Sequence, residues 1–127
     1  MPIIKNFTLP ASAKLLEVSE GLDSKLFLAF ISGDDPITKQ PWCPDVRAAL
    51  PHINAAFAAP DAPTVAIVSV GDKLKWKEPK NVYRTEWRVN NVPALVRYQR
   101  VNGEISETAR LIEAEILDKA KLQTFLA

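Results

Sequence analysis

Apolar residues are concentrated in short runs separated by polar, proline-containing connections, a pattern typical of a mixed α/β fold. Residues 26–31 and 64–70 are mainly apolar, as expected for strands buried on both faces of a sheet. A hairpin is predicted at Asn102 and Gly103, because this dipeptide favours a tight antiparallel turn. The predicted strands are residues 3–7, 26–31, 64–70, 94–101 and 104–107.

Helices are predicted in the intervals between these strands. One helix is predicted at residues 43–59. Pro44 stands at its first position, where proline costs no hydrogen bond, whereas Pro51 is expected to bend the helix from inside. The lysine-rich residues 71–80 are predicted to be a loop. The other predicted helices are residues 10–18, a short amphipathic segment at 81–89, and a last helix capped by Thr108 with Ala109, Ile112, Ile116 and Ala120 on one face.

The predicted order of elements is β-α-β-α-β-α-β-β-α. Alternation in the first two thirds implies parallel strands with helices on both faces of the sheet, and the hairpin adds an antiparallel edge. The 127 residues match the size of a single domain with one hydrophobic core. We therefore expect residues 1–127 to form one α/β domain around a central mixed sheet.

Charge and hydropathy exclude two classes of partner. The 16 basic and 15 acidic residues leave a net charge of +1, so the chain lacks the positive field that drives non-specific binding to nucleic acid or anionic membranes. The lysines around Trp76 are accordingly expected to be a solvated face. The longest strictly apolar run, residues 26–31, is too short to span a membrane. We expect a cytoplasmic protein, because a free thiol fits a reducing compartment.

The single cysteine, Cys43, is the main candidate for chemistry. One cysteine excludes an intrachain disulfide and a zinc site made of several thiolates. At a predicted helix start, the sulfur faces free backbone N–H groups and the positive end of the helix dipole, which favour the thiolate. The carboxylate of Asp45 opposes this effect, and Trp42 would give the sulfur an apolar rim. A lone cysteine is more often buried and inert, but this position favours a reactive one.

Other polar residues are weaker candidates. His52 follows Cys43 by nine residues, about 180° around a helix and roughly 13 Å along its axis, so we do not expect it to act as a base. Asp34 and Asp35 resemble half of a metal site. No second cluster of ligands stands at a suitable spacing, and we expect no metal.

The residues around Cys43 resemble the active site of the thioredoxin superfamily. Within it, the sequence is similar to the thioredoxin domain-containing protein 17-like family, whose members carry a Trp-Cys-Pro-Asp-Cys motif. Val92 and Pro93, before an apolar strand, are similar to the superfamily's cis-proline loop, and Pro51 matches its helix kink. The residues most specific to the family are Val70, Gly71, Asp72, Lys73, Trp76, Lys77, Glu78, Pro79, Asn81 and Arg84.

The resemblance implies a thioredoxin fold and a role for each matching residue. Cys43 corresponds to the attacking cysteine. Val92 would present its backbone to an extended substrate, and Pro93 would be the cis residue against the sulfur. The residues implied to shape the site and bind substrate are Trp42, Pro44, Asp45, Val92 and Pro93.

Val46 stands where the family has its second cysteine. In the dithiol mechanism that cysteine, one helical turn away, attacks the first sulfur and releases the substrate. With valine there, the self-resolving cycle cannot run, so turnover needs an external thiol such as glutathione. Reduction by thioredoxin reductase, which the family employs, has no active-site disulfide to act on.

The leading hypothesis is a thiol-disulfide protein in monothiol mode, without a bound cofactor. Cys43 would attack a protein or low-molecular-weight disulfide, or accept glutathione, as a monomer or as a Cys43-linked homodimer. One alternative is a redox-inactive peptide-binding protein with a vestigial site. The other is a redox sensor in which Cys43 forms sulfenic acid or a mixed disulfide.

Overall fold

The computed structural model describes residues 3–18 and 24–127, which contain a five-stranded mixed sheet with helices on both faces. The strands are β1 (Ile3–Ile4), β2 (Lys25–Ile31), β3 (Val65–Ser69), β4 (Ala94–Val101) and β5 (Glu104–Ile112). The helices are α1 (Pro44–Ala56), α2 (Lys73–Lys77), α3 (Val82–Thr85) and α4 (Lys119–Leu126), and 3₁₀ turns lie at Ala13–Leu15 and Glu113–Leu117. The α/β class predicted from the sequence is confirmed.

Strand β2 occupies the centre of the sheet, whose order is β1-β3-β2-β4-β5. It runs parallel to β3 and antiparallel to β4. Leu28 and Phe30 pack into the core on one face, whereas Phe27 and Ala29 pack into the core on the other. All four side chains are fully buried, which confirms that the continuous apolar run is a strand covered on both faces.

The predicted hairpin joins β4 and β5. Asn102 and Gly103 have φ values of 52° and 84°, and Val101 pairs with Glu104 across the turn. A two-residue turn of this kind requires positive φ at both central positions, which asparagine and glycine tolerate. The turn therefore forms for the reason that the sequence indicates.

The predictions for the first 18 residues are only partly right. The strand predicted at residues 3–7 is restricted to Ile3–Ile4, and the helix predicted after Pro10 is a 3₁₀ turn at Ala13–Leu15. Leu16 has extended backbone at the end of this turn, and its side chain and that of Val18 are 5% exposed in the core. These two residues therefore enter the core from extended backbone, and not from one face of a helix as predicted.

The predicted helix beginning at Thr108 is wrong, because β5 continues to Ile112. The Thr108 hydroxyl contacts the neighbouring strand: it accepts from Arg97 Nε at 2.9 Å and donates to Gln99 Oε1 at 2.7 Å. Leu111 and Ile112 pack against opposite faces of the sheet, as adjacent strand residues do. Of the four residues predicted to share a helix face, Ala109 and Ile112 lie in β5, Ile116 lies in a 3₁₀ turn and Ala120 lies in α4.

The lysine-rich segment is also different from the prediction, since it contains helix α2. Asp72 caps this helix by accepting the Lys75 backbone N–H at 2.8 Å, and Trp76 anchors it with 7% exposure. In the segment predicted as amphipathic, residues 81–89, the helical part is α3 alone. None of the described helices is long and apolar enough to cross a membrane.

Asn81 and Arg84 join α2 to α3. The Asn81 side chain accepts the backbone N–H of Arg84 at 3.0 Å and donates to the carbonyls of Trp76 and Glu78 at 3.0 and 2.9 Å. The Arg84 guanidinium lies 3.9 Å from the centre of the Trp76 ring, and its Nε donates to the Trp76 carbonyl at 2.8 Å. The most specific part of the family resemblance is therefore a fixed structural unit.

Candidate active site

Cys43 lies at the edge of the sheet where the parallel strands β2 and β3 end and β4 begins. It is the N-cap residue of α1, and its side chain, which is partly exposed, makes no capping hydrogen bond. Its backbone N–H donates to the Ser32 hydroxyl at 3.2 Å, and its thiol donates to the Val92 carbonyl over 3.6 Å. The sulfur is thus placed between the first turn of α1 and the segment that leads into β4.

The Val92–Pro93 peptide bond is cis, as the resemblance implies. Both side chains are buried, and the Pro93 carbonyl accepts the Glu113 N–H at 2.9 Å, which ties the start of β4 to the end of β5. Among the described residues, no backbone–backbone hydrogen bond uses the N–H or C=O of Val92. Within the part of the chain that the structure describes, the one hydrogen bond to the Val92 backbone is the 3.6 Å contact from the Cys43 thiol, so its N–H and the second lone pair of its carbonyl remain for an extended chain beside Cys43.

Arg110 fixes the segment that precedes this loop. Its guanidinium donates to the carbonyls of Trp87 and Arg88 at 3.3 and 2.7 Å and forms an ion pair with Glu107 at 2.8 Å. The hydrogen bond to Glu107 raises the pKa of Arg110, so the guanidinium remains charged. The segment that leads to Val92 is consequently held in place by Arg110 of β5 as well as by contacts within the loop.

The carbonyl of Gly71 positions Trp42. It accepts hydrogen bonds from the Trp42 indole Nε1 and from the backbone N–H of Gly33, both at 2.9 Å, and the Trp42 N–H donates to the Gly33 carbonyl at 3.1 Å. A Cβ at Gly33 would lie 2.8 Å from the Gly71 oxygen, closer than real Cβ contacts permit. Residue 33 must therefore be glycine for the β2–α1 connection to approach Gly71.

Gly33→Ala is expected to lower the free energy of unfolding by about 1–3 kcal/mol, because the added Cβ meets backbone and displaces the hydrogen bond to Gly71. Trp42 then loses its fixed position, and the rate at which iodoacetamide alkylates Cys43 changes several-fold. Denaturant titration and alkylation rates measure the two effects. Gly103→Ala is the control, because its positive φ also costs stability at a place remote from Cys43. Equal alkylation rates for the two variants would contradict the role of Gly33.

Val46 occupies the third position of α1, and its backbone N–H donates to the Cys43 carbonyl at 3.1 Å. Its side chain is fully buried in the core cluster against which Cys43 packs. Pro44 and Asp45, on the first turn, are exposed. The position of the family's second cysteine is thus filled by a buried hydrocarbon next to the remaining thiol.

The weaker candidates are separate from this site. His52 is exposed and lines the groove between α1 and α4. Asp35 accepts the backbone N–H groups of Ile37 and Thr38 at 2.8 and 3.1 Å, which shapes the β2–α1 loop. The described residues contain no group of three side chains arranged to hold a metal ion.

Sequence reasoning did not assign Ser32, Gly33 or Gly71 a part in positioning the site. The available signal was the Ser-Gly pair directly after the predicted strand at residues 26–31, together with a glycine directly after the strand at 64–70. Because parallel strands end at one edge of a sheet, such residues meet in space. Which atoms of these residues are in contact could be determined only from the tertiary structure.

Together, the mixed sheet, the cis-proline loop and a cysteine at the start of α1 define a protein of the thioredoxin fold. Residues 8–127 match the family described as "Thioredoxin domain-containing protein 17-like, thioredoxin domain". The chain belongs to the thioredoxin domain-containing protein 17-like family.

Individual relatives agree with this assignment. A thioredoxin domain-containing protein of Schizosaccharomyces pombe is 38% identical over 121 residues, covering 88% of this chain and 98% of the relative. The thioredoxin-like protein Clot of Arabidopsis thaliana is 33% identical over 106 residues, covering 79% of each chain. The structure of Trichomonas vaginalis thioredoxin has a TM-score of 0.61 at 17% identity, covering 98% of this chain and 97% of that one, and supports the fold alone.

Proposed function

We propose that this chain is a thiol-disulfide exchange protein that acts through Cys43 in monothiol mode. The observation that carries the proposal is the pairing of a partly exposed Cys43 thiol, 3.6 Å from the Val92 carbonyl, with a fully buried Val46 one turn further along α1. The first residue supplies a nucleophile beside a site for extended peptide. Val46 has no thiol that could resolve a mixed disulfide between Cys43 and a client.

The proposed reaction proceeds by three exchanges. The Cys43 thiolate attacks one sulfur of a client disulfide, a new S–S bond forms, and the other client sulfur leaves as a thiolate that takes up a proton. A glutathione thiolate then attacks the Cys43 sulfur and releases the second client thiol. A second glutathione regenerates Cys43, so two glutathione molecules are oxidised to one glutathione disulfide for each client disulfide reduced.

The proposed client is a protein or low-molecular-weight disulfide, and the proposed location is the cytoplasm, where glutathione is reduced. No cofactor is needed, because glutathione supplies both electrons. Trp42, Pro44 and Asp45 form the exposed or partly exposed rim of the sulfur, and Val92 offers its backbone to the client. Pro93 closes the site on the buried side.

The test is glutathione-coupled reduction of hydroxyethyl disulfide, followed through NADPH consumption by glutathione reductase. We expect a rate that rises linearly with protein concentration and saturates with disulfide. Protein whose Cys43 has been alkylated with iodoacetamide is the matched control. A rate no higher than that of glutathione alone would contradict the proposal.

A redox-inactive peptide-binding protein is the second candidate, and the Val92 N–H, which has no hydrogen-bond partner among the described residues, favours it. In that case a cysteine-free extended peptide binds equally well before and after alkylation of Cys43. A third candidate, a redox sensor, would form a stable Cys43-linked dimer or sulfenic acid under peroxide without catalysing the coupled reduction. The coupled reduction, the peptide-binding measurement and the peroxide treatment together distinguish the three functions.

A further inference from the structure

Helix α2 presents a basic surface to solvent beside the candidate active site. Its lysines are exposed, and Leu74 is 83% exposed, whereas Trp76 is turned inward with 7% exposure. We call this region the α2 surface. Its members are Lys73, Leu74, Lys75, Lys77 and the nearby Lys80.

The α2 surface reaches Trp42, the neighbour of Cys43, through Gly71. The Lys75 side chain passes over Gly71: its Cδ is 3.4 Å from the place where a Cβ on that glycine would lie. The Gly71 carbonyl accepts the indole N–H of Trp42 at 2.9 Å, and Trp42 is the neighbour of Cys43. A client that covers Trp42 therefore lies beside Gly71 and the Lys75 side chain that passes over it.

The backbone that carries these lysines is held at both ends of α2. Asp72 caps the start of the helix by accepting the Lys75 N–H at 2.8 Å, and the Asn81 amide donates to the Trp76 carbonyl near its end at 3.0 Å. Arg84 stacks on the Trp76 ring at 3.9 Å. Lysines on a fixed backbone bind a partner at a smaller cost in conformational entropy than lysines on a mobile loop would.

The charges of the α2 surface are not neutralised by ion pairs. Within residues 3–18 and 24–127, no carboxylate oxygen lies within 4.0 Å of any of its lysine Nζ atoms. The local acids are Asp72, whose carboxylate caps the helix, and Glu78. The α2 side of Cys43 is thus net positive despite the near-zero charge of the whole chain.

We propose that the α2 surface selects client segments that carry acidic residues on one side of the reactive cysteine, with an apolar residue placed to cover Leu74. This inference rests on the proposed function and names its client class: an extended acidic protein segment. The disulfide chemistry is unchanged. The contribution of α2 is to raise the encounter rate and to set the orientation of the client.

The test uses three synthetic peptides, each with one cysteine joined by a disulfide to 5-thio-2-nitrobenzoate. The residues that flank the cysteine are acidic, neutral or basic. Attack by the Cys43 thiolate on the peptide sulfur releases the coloured thiolate, so its appearance gives the second-order rate. For the unmodified protein at low salt, we expect the acidic peptide to react at least about threefold faster than the basic one, with a difference that shrinks as salt screens the charges.

Charge reversal locates the effect. Lys73→Glu combined with Lys77→Glu is expected to reverse the order of the acidic and basic peptides. Lys119→Glu combined with Lys121→Glu changes the net charge equally on α4 and is the control, since both lysines are exposed. We expect this control to keep the order of the unmodified protein. An identical response of the two double variants would overturn the inference.

The neutral peptide separates this inference from the proposed function. If the unmodified protein releases no coloured thiolate from the neutral peptide, the proposed function itself fails. If the neutral peptide reacts but the rates of all three peptides agree, only the client class is wrong. A neutral peptide with a flanking leucine that loses its rate advantage in Leu74→Asn would support the apolar contact.

Discussion

Val46→Cys is expected to convert the protein from dependence on an external thiol to a self-resolving cycle. Residue 46 is three positions after Cys43 on the first turn of α1, where a second thiol reaches the first across one helical turn. Treated with glutathione disulfide, the variant should form an intramolecular disulfide with the loss of two hydrogens. The unmodified protein should instead retain a glutathione adduct, and intact mass measures the difference.

The oxidised variant should also become a substrate of thioredoxin reductase, because it contains an active-site disulfide. Val65→Cys is the matched control: it makes the same substitution at a fully buried position at the start of β3, the opposite end of that strand from Cys43. Each substitution is expected to cost about 1 kcal/mol of stability. If Val46→Cys forms no internal disulfide and gains no reductase-dependent turnover, the peptide-binding function becomes the better account.

Cys43→Ser is expected to reduce coupled turnover and release of the coloured thiolate to their uncatalysed rates. Serine has nearly the same shape, but its hydroxyl is a poor nucleophile towards disulfides at neutral pH. The variant should fold at least as well as the unmodified protein. Cys43 makes no capping hydrogen bond, and serine at an N-cap stabilises a helix by about 0.5–2 kcal/mol relative to a non-capping residue.

Two measurements are needed for this variant. Denaturant unfolding should show equal or higher stability, so that loss of exchange is not loss of structure. Peptide exchange should then be absent at every pH examined. Activity that survives Cys43→Ser would assign the chemistry to another residue and would contradict the role of Cys43.

Elements with a local signal were predictable from the sequence. The continuous apolar run of β2 and the turn at Asn102 and Gly103 depend on neighbouring residues, and both are confirmed. Pro44 and Pro51 likewise lie inside α1 at the expected places. In each case the sequence within a few positions determines the local backbone.

Elements decided by tertiary contacts were not predictable. Residues after Thr108 have an apolar spacing compatible with a helix, yet pairing with β4 and packing of Leu111 and Ile112 on opposite faces keep them in a strand. Helix α2 is only five residues long, and its stability depends on Trp76 and on contacts from the next helix. Local periodicity carries neither kind of information.

The candidate site shows the same division. The sequence and the family resemblance identified Cys43, the Val92–Pro93 loop and the loss of the second cysteine at Val46. They did not reveal that Gly71 lies between Trp42, whose indole donates to its carbonyl, and Lys75 of α2, whose side chain passes over it. These contacts join segments that are distant in sequence, so they could be identified only from the tertiary structure.

The lifetime of the mixed disulfide at Cys43 tests the monothiol account most directly. Intact mass spectrometry can follow the protein after reaction with one equivalent of the neutral activated peptide. The account predicts release of one coloured thiolate per chain and a peptide adduct on Cys43 that persists until glutathione is added and then disappears. An adduct that is shed without added thiol, or a protein that releases no coloured thiolate, would contradict it.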